Sequence, residues 1–229
     1  VRLLFLCKRY STGKDSLADR YGRLFHLPAG LARQGWDVTV QSLSYRLQSA
    51  PGSGQLSPGF RWQDFPVSLG GIHAYRRALR QYWGSPPGLV WSGSDALHVV
   101  IGNRVARKLG VPHVVDLYDD YESFGLTQLP GLRRAFRAAC VRADGLTVVS
   151  TTLMETLTSL HGRGIRQWHI PNGVSIGALP FDRTGLLERL GLPRDARLIG
   201  MVGALDPSRG VADLFNAFAK LAPAIPELH

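Results

Sequence analysis

Four carboxylates stand within seven residues in Asp116-Leu117-Tyr118-Asp119-Asp120-Tyr121-Glu122. Acids packed that closely repel one another, and such a cluster needs a reason: tuned pKa values, a cation, or hydroxyl groups to hold. A carboxylate that orients a hydroxyl or takes its proton is one use of the segment. A metal site from Asp116, Asp119 and Asp120 is the weaker reading, with no His within the segment, and no metal is expected. The plain alternative is an acidic helix start. Upstream, residues 8–23 carry Lys8, Arg9, Lys14, Arg20 and Arg23, cations suited to an anionic or hydroxyl-rich ligand, or else to a solvated loop. Downstream, Met201-Val202-Gly203 is followed by a short loop and then Arg209-Gly210. A helix opening on Gly and Arg can take a phosphate. It is neither a GxGxxG fingerprint nor a P-loop. Between these groups lies Ile170-Pro171-Asn172-Gly173-Val174. Its Pro, Asn and Gly make a sharp turn directly after the apolar run at residues 167–170, where an ordinary strand exit is the alternative.

These residues need a frame that gathers them. Residues 2–6 form a short apolar run and read as a buried strand. Leu24, Leu27 and Leu31 fall at helical spacing, Pro28 should kink that helix, and Gly35 closes it. Residues 37–40 alternate as a second strand, which completes a parallel crossover unit. Residues 43–59 read as a Gly/Ser/Pro-rich loop and residues 60–65 as an edge strand. Helix signals follow at 72–83, 94–109, 130–143 and 151–161, with strands at 89–91, 111–117, 145–149 and 166–170. Ser94 or Asp95 starts the helix that Gly110 ends, and Ser150 or Thr151 reads as another N-cap. The β-then-α alternation recurs about six times, the pattern of a doubly wound parallel sheet, α/β in class. After the turn come a short helix at 186–190, a strand at 198–202 and a helix at 211–221, the first βα unit of a second, similar domain. The expected division is 1–174 and 175–229. One βα unit cannot bury its own apolar face, so the second part is expected to be incomplete.

Composition narrows the class. The chain has 229 residues, 45 % of them hydrophobic, and a net charge of +10, which favours anionic partners. Cys7 and Cys140 stand far apart with no CxxC, which argues for a reducing, cytoplasmic setting and against structural zinc. No apolar run reaches the roughly 20 residues of a membrane span. The basic aromatic helix at 72–83 and the Arg-rich helix at 130–143 suit an acidic membrane surface, or a solvated face. The aromatics do not interleave with the cations in a stacking pattern, so nucleic acid is not an expected partner.

Five runs, in order, resemble the retaining GT-B glycosyltransferases of family four: Leu31-Ala32-Arg33-Gln34-Gly35-Trp36-Asp37-Val38-Thr39-Val40, Gly110-Val111-Pro112-His113-Val114-Val115-Asp116, Ala143-Asp144-Gly145-Leu146-Thr147-Val148-Val149-Ser150, Ile170-Pro171-Asn172-Gly173-Val174, and Val202-Gly203 through Arg209-Gly210 to Ala217-Phe218. The resemblance implies two Rossmann-like domains, an N-terminal one for the acceptor and a C-terminal one for the nucleotide sugar. It implies transfer with retention, no cofactor beyond the nucleotide sugar as co-substrate, and a saccharide or lipid-linked acceptor. By the same resemblance Gly203, Arg209 and Gly210, with Asn172 and Gly173, would border the donor. Lys8, Arg9, Lys14, Arg20 and Arg23 would border the acceptor. Asp119, and second to it Asp116, would serve catalysis. Two departures stand out: Ala204 where many members have Arg, and Tyr118 near the place of a His. The family's Glu-x7-Glu segment does not occur in these residues, so this chain alone is expected to be inactive. A truncated GT-B domain that binds saccharide, nucleotide or nucleic acid without turnover is the alternative, as is a sugar-nucleotide epimerase. The Pro171-Asn172-Gly173 turn with Arg209-Gly210 favours the transferase over the epimerase.

Overall fold

The computed structural model describes residues 1–11, 13–46, 52–162, 164–173, 182–203, 205 and 209–229. Val174, Ala204 and the loop Asp206-Pro207-Ser208, all singled out in the sequence, lie outside these residues. The chain divides into two compact units, Val1–Val174 and Ser175–His229.

The first unit is built on one sheet. Its chain order begins β1 (Arg2–Lys8), a small ribbon of β2 (Tyr10–Ser11) and β3 (Lys14–Asp15), α1 (Arg23–Arg33) and β4 (Asp37–Ser44). It continues with β5 (Ser53–Ser57), β6 (Phe60–Pro66), α2 (Leu69–Arg80), β7 (Leu89–Gly93), α3 (Ala96–Leu109) and β8 (His113–Leu117). It closes with α4 (Leu132–Arg142), β9 (Gly145–Val148), α5 (Thr151–His161) and β10 (Gln167–His169). The strand order is β10-β9-β8-β7-β1-β4-β6-β5. Every pair is parallel except β5 with β6.

The centre of the sheet explains the apolar run at the start of the chain. A parallel strand is covered on both faces, so its residues are apolar without alternation. Leu3, Phe5 and Cys7 of β1 pack with Leu24, Phe25 and Ala29 of α1 and with Phe60, Trp62 and Trp91. Leu4 and Leu6 point the other way and pack with Val90 and Ala106. A second cluster joins Val99, Val115, Leu117, Phe136, Leu146 and Leu157 beneath α3, α4 and α5. Two helix starts are capped where the sequence suggests, Asp95 Oδ1 accepting from the His98 N–H and Ser150 Oγ from the Leu153 N–H; α2 starts earlier than the expected residue 72, with Ser68 Oγ accepting from the Gly71 N–H. Gly110 ends α3 at φ 65°. α1 continues through Pro28, which is buried.

Two expectations are corrected. Residues 43–59 are not one loop: β4 runs to Ser44, and Ser53–Ser57 forms an antiparallel strand that covers β6, which is therefore not the edge. Alternation in β4 ends early because all of residues 38–44 are buried, a pattern that reads as a longer strand only once both faces are known to be covered.

The second unit holds α6 (Arg183–Leu190) and α7 (Val211–Leu221). The strand expected at 198–202 is absent among the described residues. Only an isolated parallel bridge joins Arg197 and Leu228. A strand exists by pairing along its length, and here the bonds stop at Ile199 N–H to His229 O. Val202 is fully exposed, and α7 presents Phe215 at 67 % exposure.

Candidate active site

In an open parallel sheet a crevice forms where the order reverses. Here the chain runs outward from β1 through β4 to β6 and then returns to place β7 on the other side of β1. The carboxyl ends of β1, β4, β7 and β8 therefore carry the crevice residues: Lys8, Tyr45, Ser94 with Asp95, and Tyr118 with Asp119.

The backbone there is held under strain. Ser94 is buried and has φ 81°, a left-handed value that a side chain disfavours. Two bonds to Ser94 and one behind them hold it. The Lys8 N–H donates to Ser94 Oγ at 2.7 Å, and the Ser94 N–H donates to Tyr121 Oη at 2.8 Å. The Tyr121 hydroxyl in turn donates to the Asp116 carbonyl at 3.0 Å. Beside it, Asp95 accepts from the His98 N–H, from His98 Nδ1 at 2.8 Å and from the Tyr45 hydroxyl at 3.0 Å. Burial raises the Asp95 carboxyl, but His98 and its amide outweigh that and hold it below its usual range. His98 Nε2 is buried with no hydrogen-bond partner among the described residues. The Tyr118 hydroxyl lies 3.4 Å from Ser11 Oγ, and burial pushes its ionisation up, so it serves as a neutral hydroxyl.

The acidic cluster turns out to be dispersed. Asp116 points inward and is fully buried, with Arg23 Nε at 3.0 Å, Arg23 Nη2 at 2.7 Å and Thr147 Oγ1 at 2.7 Å. Its carboxylate, expected second to Asp119 as a catalytic group, is held by these partners and braces the end of β8. Asp120 Oδ1 accepts the Glu122 N–H and starts a 3-10 turn over Tyr121–Ser123. Glu122 forms a fork with Arg137 of α4 at 2.7 and 2.6 Å. Asp119 accepts the Asp120 N–H and is otherwise exposed to solvent. Each acid faces a different way, so the repulsion read from the sequence is relieved. Among the described residues no group of three or more His, Cys, Asp or Glu side chains could hold a metal ion.

The expected acceptor-side cations divide in the same manner. Arg9 is buried between Asp15, at 2.8 Å, and Asp64, at 2.9 Å, and ties the β2–β3 ribbon to β6. Both carboxylates pair with the desolvated guanidinium, which gives Arg9 a framework role. Arg23 is committed to Asp116. Lys8 sits half-buried with its ammonium 5.4 Å from the Phe124 ring centroid, while Lys14 and Arg20 are exposed. Asn172 Oδ1 accepts from Arg23 at 2.9 Å, and Gly173 is exposed. In the second unit Gly203 has φ 141°, Gly210 caps α7 at φ 71° without a side-chain bond, and Arg209 is exposed. Tyr45, His98, Tyr121 and Thr147 gave no signal in the sequence. Their partners lie 50, 3, 27 and 31 residues away, and only the i,i+3 pair of His98 and Asp95 was open to reading.

The sequence profile of the glycosyl transferase 4-like domain matches residues 23–173, which span β8, its following loop and the Asn172 turn. The chain belongs to this family. Curated relatives of this glycosyl transferase 4-like chain include a GDP-mannose-dependent monoacylated alpha-(1-6)-phosphatidylinositol monomannoside mannosyltransferase of Corynebacterium glutamicum. It is 27 % identical over 142 residues, 60 % of this chain and 37 % of that protein. A GDP-mannose-dependent alpha-mannosyltransferase of Mycolicibacterium smegmatis is 33 % identical over 139 residues, 57 % of this chain and 36 % of that protein. The chain thus spans little more than a third of the relatives it matches. Among solved structures, sucrose-phosphate synthase from Thermosynechococcus elongatus aligns with TM-score 0.70 and 16 % identity, over 96 % of this chain and 60 % of that one. Anabaena HepE in complex with UDP and glucose aligns with TM-score 0.65 and 18 % identity, over 99 % and 59 %. The fold is that of the GT-B glycosyltransferases.

Proposed function

We propose that this chain is the acceptor-side part of a glycosyltransferase that moves a sugar from a nucleoside diphosphate to a saccharide or lipid-linked acceptor of the cell envelope, with retention. GDP-mannose is the first donor to test, because the relatives from Corynebacterium and Mycolicibacterium are GDP-mannose-dependent. The observation that carries the reading is the strand-order reversal at β1, whose neighbouring strand ends lie largely within the stretch matching the family.

In this reading the acceptor hydroxyl lies against Asp119, the exposed carboxylate of the segment after β8. Its oxygen bonds to the anomeric carbon as the bond from that carbon to the diphosphate oxygen breaks. Asp119 orients the hydroxyl and takes up its proton. In the second unit, taken by itself, Arg209 and the backbone amides that open α7 suit a diphosphate, with Gly203 allowing close approach of a phosphate. Lys8, Lys14 and Arg20 favour an acceptor with anionic groups.

A peripheral position on an acidic membrane suits a lipid-linked acceptor. No helix among the described residues is long and apolar enough to cross a membrane. The support is α2, which exposes Leu69 and Ile72 beside a cavity of about 350 Å³ lined by His73, Arg76, Arg77 and Arg80.

The test is transfer by the natural full-length product from radiolabelled GDP-mannose and UDP-glucose to an envelope lipid extract. Asp119→Asn is expected to lower kcat by about 100-fold or more with an unchanged unfolding midpoint. Transfer at the parent rate in Asp119→Asn would remove Asp119 from the mechanism. Binding without transfer from either donor would overturn the enzyme reading.

A further inference from the structure

We infer that Arg23 is a positioning residue, a latch that ties the segment leaving the sheet, residues 170–173, to the buried carboxylate at the end of β8. A guanidinium carries five N–H donors in a rigid fork. Two of Arg23's nitrogens, Nε and Nη2, grip the two oxygens of Asp116. The third, Nη1, donates to the Ile170 carbonyl at 3.0 Å and to Asn172 Oδ1 at 2.9 Å. Thr147 Oγ1 donates to the same Asp116 oxygen as Nη2, at 2.7 Å, which fixes the carboxylate from the β9 side. One side chain thus joins the first residue of α1, the ends of β8 and β9, and the exit from β10.

Burial makes the latch stiff. The Arg23 and Asp116 side chains are 7 % and 1 % exposed, so water cannot replace either partner cheaply. The fork also points its third nitrogen in one direction, away from Asp116 and toward residues 170–172. A lysine ammonium at this position keeps the charge but has no fork, and cannot grip both carboxylate oxygens and reach the Ile170 carbonyl together. The Arg23 guanidinium carbon lies 5.9 Å from the Tyr118 ring centroid. The latch therefore also touches the residue that precedes Asp119. Asn172, which the resemblance places at the donor, is held by this arginine, and the first compact unit ends two residues later. For its kinetic consequence the inference rests on the transferase reading. For its structural content it does not.

The experiment has two arms. Backbone 15N relaxation on this chain reads order at Asn172 and Gly173 in the parent, Arg23→Lys and Asn172→Ala. The expected result is a fall from the rigid range, S² near 0.85, to below about 0.6 in both variants, with the β8 and β9 amides unchanged in Asn172→Ala. Asn172 is exposed, so that variant keeps the question answerable if Arg23→Lys folds poorly. Equal order parameters in parent and Asn172→Ala overturn the latch. In the natural full-length product, Arg23→Lys is expected to lower kcat by about tenfold with the acceptor KM within twofold. A raised acceptor KM with unchanged kcat marks Arg23 as a direct acceptor contact and overturns the positioning role, and so does a loss of order with both constants unchanged. If the parent transfers no sugar, the function reading falls and the relaxation arm still decides the latch.

Discussion

His113 shows what burial does to one side chain. It opens β8 with Nε2 2.7 Å from Ser92 Oγ, and Nδ1 has no partner among the described residues. α3 crosses so close that a Cβ on Gly102 would stand 2.8 Å from that Nε2, which leaves no room for water. Burial therefore lowers the imidazole to a pKa of about 4, with Asp144 pulling weakly the other way. In the unfolded chain the same group takes its proton near pH 6.5. Its folded pKa is the lower one, so the unfolded state binds more protons between pH 6.5 and 4. Stability is whole above pH 6.5 and falls through that window by about 1.4 kcal/mol per unit. Urea midpoints at pH 7 and pH 5 should differ by about 2 kcal/mol of stability, and His113→Asn should remove most of that difference. An equal pH slope in the variant would place the titration elsewhere. Arg9 and Arg23 make a related point: both read as ligand-facing cations, and both are spent on buried carboxylates.

Among the elements, α2 carries the surface chemistry that the sheet does not need. Its Gly71 and Tyr75 are buried and Leu79 packs against the core, while Arg76, Arg77 and Arg80 are exposed. Trp83 follows, with Arg80 and Lys108 over its ring at 5.6 and 3.6 Å from the centroid. Exposed Leu69, Ile72 and Trp83 could enter a headgroup layer while the cations meet its phosphates. Each basic residue near an acidic bilayer is worth about 1 kcal/mol. Arg76→Gln with Arg77→Gln and Arg80→Gln should therefore weaken binding to phosphatidylserine-containing vesicles by about 100-fold. Phosphatidylcholine vesicles should show little difference, and raised salt should erase the effect. Co-sedimentation of parent and triple variant measures it, and equal binding would mark α2 as a solvated face. The three-residue β10, by contrast, is held at its exit by Arg23, a side chain from the other end of the unit.

At the scale of the whole molecule the two units differ in what they bury. The first encloses three apolar clusters around an eight-stranded sheet. The second buries Leu187 and Ala196, and α7 buries no residue. Residues 1–174 expressed alone should unfold in one cooperative transition, and residues 175–229 alone should show none, by circular dichroism against urea. A cooperative transition in the shorter piece would contradict the account of its exposed α7. Much of this was open in the sequence. The β-then-α order, the Asp95 and Ser150 caps, the Gly110 stop and the bounds of α5 and α7 follow from local rules, because period, capping and positive φ act over a few residues. The pattern also resembled the GT-B transferases, and the family match agrees with that. What only the tertiary structure decided is how charges pair. Arg9 with Asp64, Arg23 with Asp116 and Tyr45 with Asp95 are separated by 55, 93 and 50 residues. Their meeting depends on which strand lies beside which. A sequence shows that a cation and an acid are present; only the sheet order brings them together out of water, where each must be the other's partner.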